Sequence, residues 1–208
     1  MKRTTLIALT ILLASCGKQG INVGQGFEMT PSFDDAAVAA NVVNVYAKNA
    51  DGTRGAYLYS DVKTYAVTEG KLNVLVRAGS LGMTVKQINV KYTDSSGNPF
   101  GDASGTFNIS AAFDIPGGYV CKSGAEACDF VDKTPQNVAF SKTTDQYNLS
   151  EQIAVAAAAT CVDDEPACSE VRMNMTLSGT DTLGQARSIN IPQAQIRVYI
   201  ASVTDEVQ

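Results

Sequence analysis

The chain of 208 residues contains no histidine and no tryptophan. Without histidine there is no imidazole to act as general base or transition-metal ligand, so Ser-His and Cys-His nucleophiles and His-zinc centres are excluded. Without tryptophan the usual platform for stacking a sugar is missing. Basic residues are few, 16 Lys and Arg against 21 Asp and Glu, for a net charge of −5. A chain this acidic, with no basic cluster, is repelled by phosphates, so neither nucleic acid nor a polybasic membrane patch is expected. Long apolar runs are also lacking. The run that starts at Leu6 and ends at Leu13 is about half the roughly 20 residues a bilayer requires, so it is not expected to be a permanent transmembrane helix.

That run has a setting of its own. Lys2 and Arg3 precede it, and the small residues Ala14 and Ser15 lie between it and Cys16. A cationic start, an apolar core and a small-residue end are the three parts of a secretory signal peptide. Leu13-Ala14-Ser15-Cys16 resembles the lipobox of bacterial lipoproteins. The resemblance implies that residues 1–15 are removed and that Cys16 becomes the first residue, carrying thioether-linked diacylglycerol and an amide-linked third acyl chain. At about 0.8 kcal/mol per buried methylene, two or three chains hold a protein on a membrane. The alternative is an ordinary signal peptide cleaved after Ala14 or Ser15. Loss of Lys2 and Arg3 leaves 14 basic against 21 acidic side chains, a net charge of −7. The lipid, not charge, is therefore the expected link to the membrane. Gly17 stands where an Asp commonly retains lipoproteins in the inner membrane, so in a two-membrane cell the resemblance implies the outer membrane.

Four further cysteines form two equal spacings, Cys121-x6-Cys128 and Cys161-x6-Cys168. In an exported chain an even number indicates disulfides. Three pairings are open; the two local ones are favoured, because each pair brackets a turn-rich loop and short loops close first. A four-thiolate metal site is the alternative, but the spacing lacks C-x2-4-C knuckles. No C-x-x-C redox motif is present.

Gly17 to Ala40 is rich in Gly, Gln, Asn, Asp and Ala and shows no apolar period, so residues 16–40 are expected to be a lipidated tether. A brief helical turn around Asp34 to Ala40 is conceivable from the capping residues Ser32 and Asp34. From Asn41 to the end the period is two. Val43 and Val45, Tyr57 to Tyr65, Leu72 to Val76, Val85 to Tyr92, Phe107 to Phe113 and Val171 to Leu177 alternate with polar neighbours, as strands with one dry face do. The run Ile153 to Ala159 is ambiguous between alanine's helix preference and its strand-rich context, and is read as strand. A last strand is expected from Ala186 to Ser202, at an edge or bulged at Pro192, with Val203 to Gln208 frayed. Residues 41–208 are thus expected to form one all-β domain, an antiparallel β-sandwich.

Val171 to Gly184, followed by the final strand to Ile200, is similar to the last two strands of immunoglobulin-like and fibronectin type III-like bacterial domains, and Asp94 to Pro99 resembles a hairpin turn of the same domains. The resemblance implies an immunoglobulin-like sandwich, though not the antibody type, which needs a Cys-Trp-Cys core.

Other features suggest chemistry only weakly. Asp94, Ser96, Asn98 and Asp102 have the oxygen spacing of the start of a calcium loop, but Pro99 occupies the place of the required Gly, and a plain turn is favoured. Asp163-Asp164-Glu165 is expected to be a solvated tip. The N-x-[ST] triplets at Asn108, Asn148 and Asn174 are expected by chance, and Tyr57, Tyr59 and Tyr65 are expected to pack at the core's edge with wet hydroxyls. No catalytic residue, metal site or cofactor is nominated. The favoured function is that of a non-catalytic, lipid-anchored envelope protein whose sandwich binds a protein partner or serves as a scaffold. A fibre subunit assembled by strand addition, with self-association, comes second, and a hydrolase last.

Overall fold

The computed structural model describes residues 26–101, 106–143, 149–163 and 168–208. In chain order the strands are β1 (Met29–Asp34), β2 (Ala37–Lys48), β3 (Arg54–Thr68), β4 (Lys71–Val76), β5 (Met83–Thr93), β6 (Thr106–Ile115), β7 (Tyr119–Cys121), β8 (Lys133–Pro135), β9 (Val138–Thr143), β10 (Val171–Asp181) and β11 (Ala186–Val207), with helix α1 (Glu151–Asp163) between β9 and β10. Three strands in the order β1-β4-β9 form one sheet, six in the order β3-β2-β11-β10-β5-β6 form another, and β7 pairs with β8. The protein is an all-β sandwich, and its last two strands, β10 and β11, form a hairpin.

The alternation read from the sequence is what builds the core. Leu72, Val74 and Val76 of β4 face Ile88 and Val90 of β5 and Val171, Met173, Met175 and Leu177 of β10 across one continuous buried cluster. Phe113 of β6 and Phe140 of β9 stack between the layers, ring centroids 6.0 Å apart. Polar neighbours such as Arg172, Asn174 and Thr176 stay on the wetter face.

Three expectations are corrected. Residues 29–40 are not tether: β1 pairs with β4, Phe33 is buried, and the chain passes from one sheet to the other at Asp35, whose φ of 68° is a left-handed conformation that Asp tolerates. Nor does a helical turn form there, because Ala37, Val38 and Ala40 are buried in β2. The second correction is α1, where strand was expected. Ser150 Oγ accepts from the Ile153 N–H at 3.3 Å, an N-cap contact. Ile153, Ala154, Ala157, Ala158 and Cys161 then fall on one buried face at helical spacing. Small side chains let the helix lie close on β2, β3 and β11. It covers the half of the large sheet that the three-stranded sheet leaves bare.

The third correction concerns β11. Pro192 does mark a bulge: the register against β10 slips between Met173 and Met175, and Gln193 has a φ of 51°. Yet the strand is not at an edge and does not stop at Ser202. Its first half, Ala186 to Ile196, pairs antiparallel with β10, and its second half, Arg197 to Val207, pairs parallel with β2. Val203 to Gln208 are held, with Gln208 N–H donating to the Tyr46 carbonyl at 2.9 Å. This is the one parallel pair among the described strands.

Candidate functional site: a projecting three-stranded arm

Because β11 changes partner halfway, β2, β3 and the second half of β11 run on beyond the pairing with β10, with Val198 and Ile200 of the near part still packed against the core. At about 3.3 Å per residue the eleven residues Arg197 to Val207 extend the sheet by roughly 36 Å. α1 covers the near part of this arm, forming with β3 a groove of about 500 Å³ lined by Val62, Tyr65, Val155, Ala158 and Val162. The far part has no second layer among the described residues.

Polar side-chain ladders cross the three strands, and in the far part Val43 and Val45 of β2 are buried among them. Ser202 Oγ donates to Asn41 Oδ1 at 2.7 Å, and Asn41 Nδ2 donates to Thr64 Oγ1 at 2.8 Å, so one asparagine links all three strands. Ser60 Oγ donates to Asn44 Oδ1 at 2.6 Å and lies 2.8 Å from Tyr57 Oη. Arg54 of β3 reaches over β2 to Asp205 of β11, and Lys63 does the same to Glu206. Such exposed ion pairs add little stability; they fix strand positions. The Arg54 guanidinium also sits 3.4 Å over the Tyr46 ring, which meets Tyr57 edge-on at 5.7 Å.

The outer strand of the arm is β3, fifteen residues with one free edge. It exposes Tyr57, Leu58 and Tyr59 at 53%, 50% and 46%. Of the tyrosines expected at the core's edge, Tyr65 is half-buried there, whereas Tyr57 and Tyr59 stand out in solvent. The sequence carries a signal for this: three large residues in succession cannot all face a core when the strand period is two. The edge is interrupted, since the β2–β3 register slips between Asn41 and Val42, between Val45 and Tyr46, and between Tyr46 and Lys48. Bulges of this kind limit uncontrolled edge-to-edge pairing.

The other candidates resolve into structure. Cys121 bonds to Cys128 and Cys161 to Cys168, with S–S distances of 2.12 and 2.02 Å, the two local pairings. The second joins the end of α1 to the approach to β10. Asp94 Oδ1 accepts the N–H of Ser96 at 2.8 Å and of Asn98 at 2.9 Å, so its carboxylate closes its own turn. Asp181 repeats the device, accepting from Leu183 and Gln185 at 2.9 Å each, with glycine at positive φ before the last residue in both turns. Among the described residues no group of three His, Cys, Asp or Glu could hold a metal. Asn108 and Asn174 lie on strands. Cys16, Asp102, Asn148, Asp164 and Glu165 lie outside the described residues, as does the side chain of Asp163.

Asp181 yields a pH prediction. Burial pushes its carboxyl pKa up, but the Gln185 N–H, the Arg187 guanidinium at 2.8 Å and the Leu183 N–H outweigh this and hold it below the ordinary carboxylate value. A carboxylate lowered in the folded state stabilises above its unfolded pKa of about 4 and loses that contribution as pH falls through the folded value. Thermal unfolding of Asp181→Asn is therefore expected to lie well below wild type at pH 7, with the gap narrowing below about pH 4. A gap independent of pH would contradict this.

No protein-family model matches the chain, and no curated protein matches it at a significant level.

Proposed function

We propose that the protein is a non-catalytic lipoprotein of a bacterial cell envelope, anchored through acyl chains on Cys16, whose sandwich presents the arm to a protein partner. The observation that carries this reading is the far part of the arm, where Tyr57, Leu58 and Tyr59 stand exposed beside the Arg54–Tyr46 pair. Tyrosine and arginine are enriched where proteins recognise proteins, and a free strand edge offers backbone donors and acceptors to an extended segment. Arg54 and Lys63 are already paired, so the exposed Tyr57-Leu58-Tyr59 run and the strand edge are what this surface offers for recognition. In a two-membrane cell the anchor would hold the protein at the outer membrane. The length of the free β3 edge also favours a second reading, a fibre subunit assembled by strand addition.

A photo-crosslinking residue at position 58 in intact cells tests the proposal. A discrete heavier band is expected on a non-reducing gel, weakened at least tenfold when Tyr57 and Tyr59 are both changed to alanine, with no such band from position 75 on β4. A regular ladder of self-adducts would favour the fibre subunit, and no adduct at position 58 would reject both.

A further inference from the structure

The three most exposed large apolar side chains among the described residues are not on the arm. They are Val131 at 77%, Leu183 at 65% and Phe130 at 62%. All three lie in loops at the opposite end of the sandwich. Leu183 is in the β10–β11 turn, and Phe130 and Val131 are in a single 3-10 turn, Phe130–Asp132, that follows the Cys121–Cys128 ring and precedes β8. The loops are joined there: Thr182 N–H donates to the Gly82 carbonyl at 3.2 Å, Tyr119 Oη donates to the Gly79 carbonyl at 3.0 Å, and Phe130 packs on Tyr119 with centroids 5.6 Å apart. Phe130 and Thr182 both line one cleft of about 940 Å³.

The described chain also begins at this end. Leu81 N–H donates to the Gly26 carbonyl at 2.8 Å, Arg77 N–H donates to the Glu28 carbonyl at 3.1 Å, and Phe27 lies under Arg187, which holds Asp181 at the base of the Leu183 turn. Cys16 precedes Gly26 by ten residues. Ten residues reach at most about 35 Å, the length of one sandwich, so acyl chains on Cys16 keep this end nearer the bilayer than the arm.

We infer that this loop end is a bilayer-docking face: Phe130, Val131 and Leu183 enter the interface of a zwitterionic membrane and set the protein upright with its arm pointing away. The inference rests on the anchor proposed for Cys16. Exposed apolar residues grouped around an anchoring point are what interfacial binding requires. Lys122 and Lys133 flank them, and Glu126, Asp129 and Asp132 offset that charge, so the surface suits phosphatidylcholine or phosphatidylethanolamine better than a strongly anionic lipid. The Lys122 N–H donates to the Asp132 carbonyl at 2.9 Å and Lys122 Nζ donates to the Val131 carbonyl at 2.9 Å, which keeps the apolar tip shaped before it meets lipid.

The absence of tryptophan makes the test clean. Phe130→Trp, Leu183→Trp and, on the arm, Tyr57→Trp each introduce a single indole at an exposed site. The full chain, purified from membranes and reconstituted in phosphatidylcholine–phosphatidylethanolamine vesicles with brominated acyl chains, is read by flotation and by quenching. Flotation with quenching at 130 and 183 at least threefold stronger than at 57 is the expected result. Flotation with neither loop indole quenched overturns the docking face and leaves the anchor standing. Equal quenching at all three sites means that the protein lies flat, and also overturns it. Failure to float rejects the anchor, and the inference with it. Loop indoles shielded only in native envelopes, with crosslinks from position 130 to protein, would assign this end to a protein partner instead.

Discussion

Changing Gly179 to alanine is expected to destabilise the protein by about 3 kcal/mol, lowering the unfolding midpoint by roughly 6–12 °C for a chain of this size. Gly179 sits in β10 where its register against β5 slips. A Cβ there would lie 1.9 Å from the Thr84 carbonyl oxygen, 2.9 Å from its carbon and 3.0 Å from Val85 Cα. All three neighbours are backbone, and β5 cannot retreat because it is paired with β6 on its other side. The cost therefore falls on two interior strands of the large sheet, β10 and β5. Gly26→Ala, with nothing within 4 Å of its Cβ, serves as the control and should leave the midpoint unchanged. Equal midpoints for the two variants would mean that the β5–β10 approach is looser than described.

Ile153→Ala is expected to cost a similar amount, about 3 kcal/mol, through the cavity left under the first turn of α1. Ile153 is fully buried and abuts Gly101, whose added Cβ would fall 2.6 Å from Ile153 Cδ1. The neighbouring Val155→Ala should cost almost nothing, since Val155 is half exposed on another face of the helix. The pair separates helix from strand. In a strand residues 153 and 155 share a face and would be lost at similar cost; in the helix only one of them is buried. Chemical denaturation of the two variants, read as midpoint differences at constant slope, decides the matter.

How much of this could be read beforehand depended on whether the determining forces were local. The strands of the sandwich were legible because inward and outward residues alternate in Leu72 to Val76, Val85 to Tyr92 and Val171 to Leu177, a pattern set by burial on one face. Of three open disulfide pairings, the two local ones were favoured because each brackets a short turn-rich loop, and these are the pairs that form. α1 was misread because its neighbours are strands. The local signal, an alanine run, was correct, and context was the wrong arbiter. β1 was missed because its six residues Met29–Asp34 include Pro31, which has no N–H to offer a ladder. The parallel pairing of Asn41–Tyr46 with Ser202–Val207 is a contact about 160 residues apart in sequence, and nothing near either segment specifies it. The arm was therefore invisible as an object, although Tyr57-Leu58-Tyr59 carried its mark. Asp94 shows the converse. Its oxygen spacing suggested a cation loop, and the same spacing is what lets one carboxylate satisfy the backbone of a five-residue turn.

The arrangement gives the molecule two ends of different character: one carries Gly26, where the described residues begin, and three exposed apolar residues, the other an aromatic arm. That reading depends first on the anchor. Metabolic labelling of cells with a radioactive or clickable palmitate, followed by capture of this chain, tests it most directly. The account predicts label on the wild type and none on Cys16→Ala, which should accumulate as the longer precursor. Equal labelling of the two, or wild-type protein released unlabelled and free of the membrane, would contradict it.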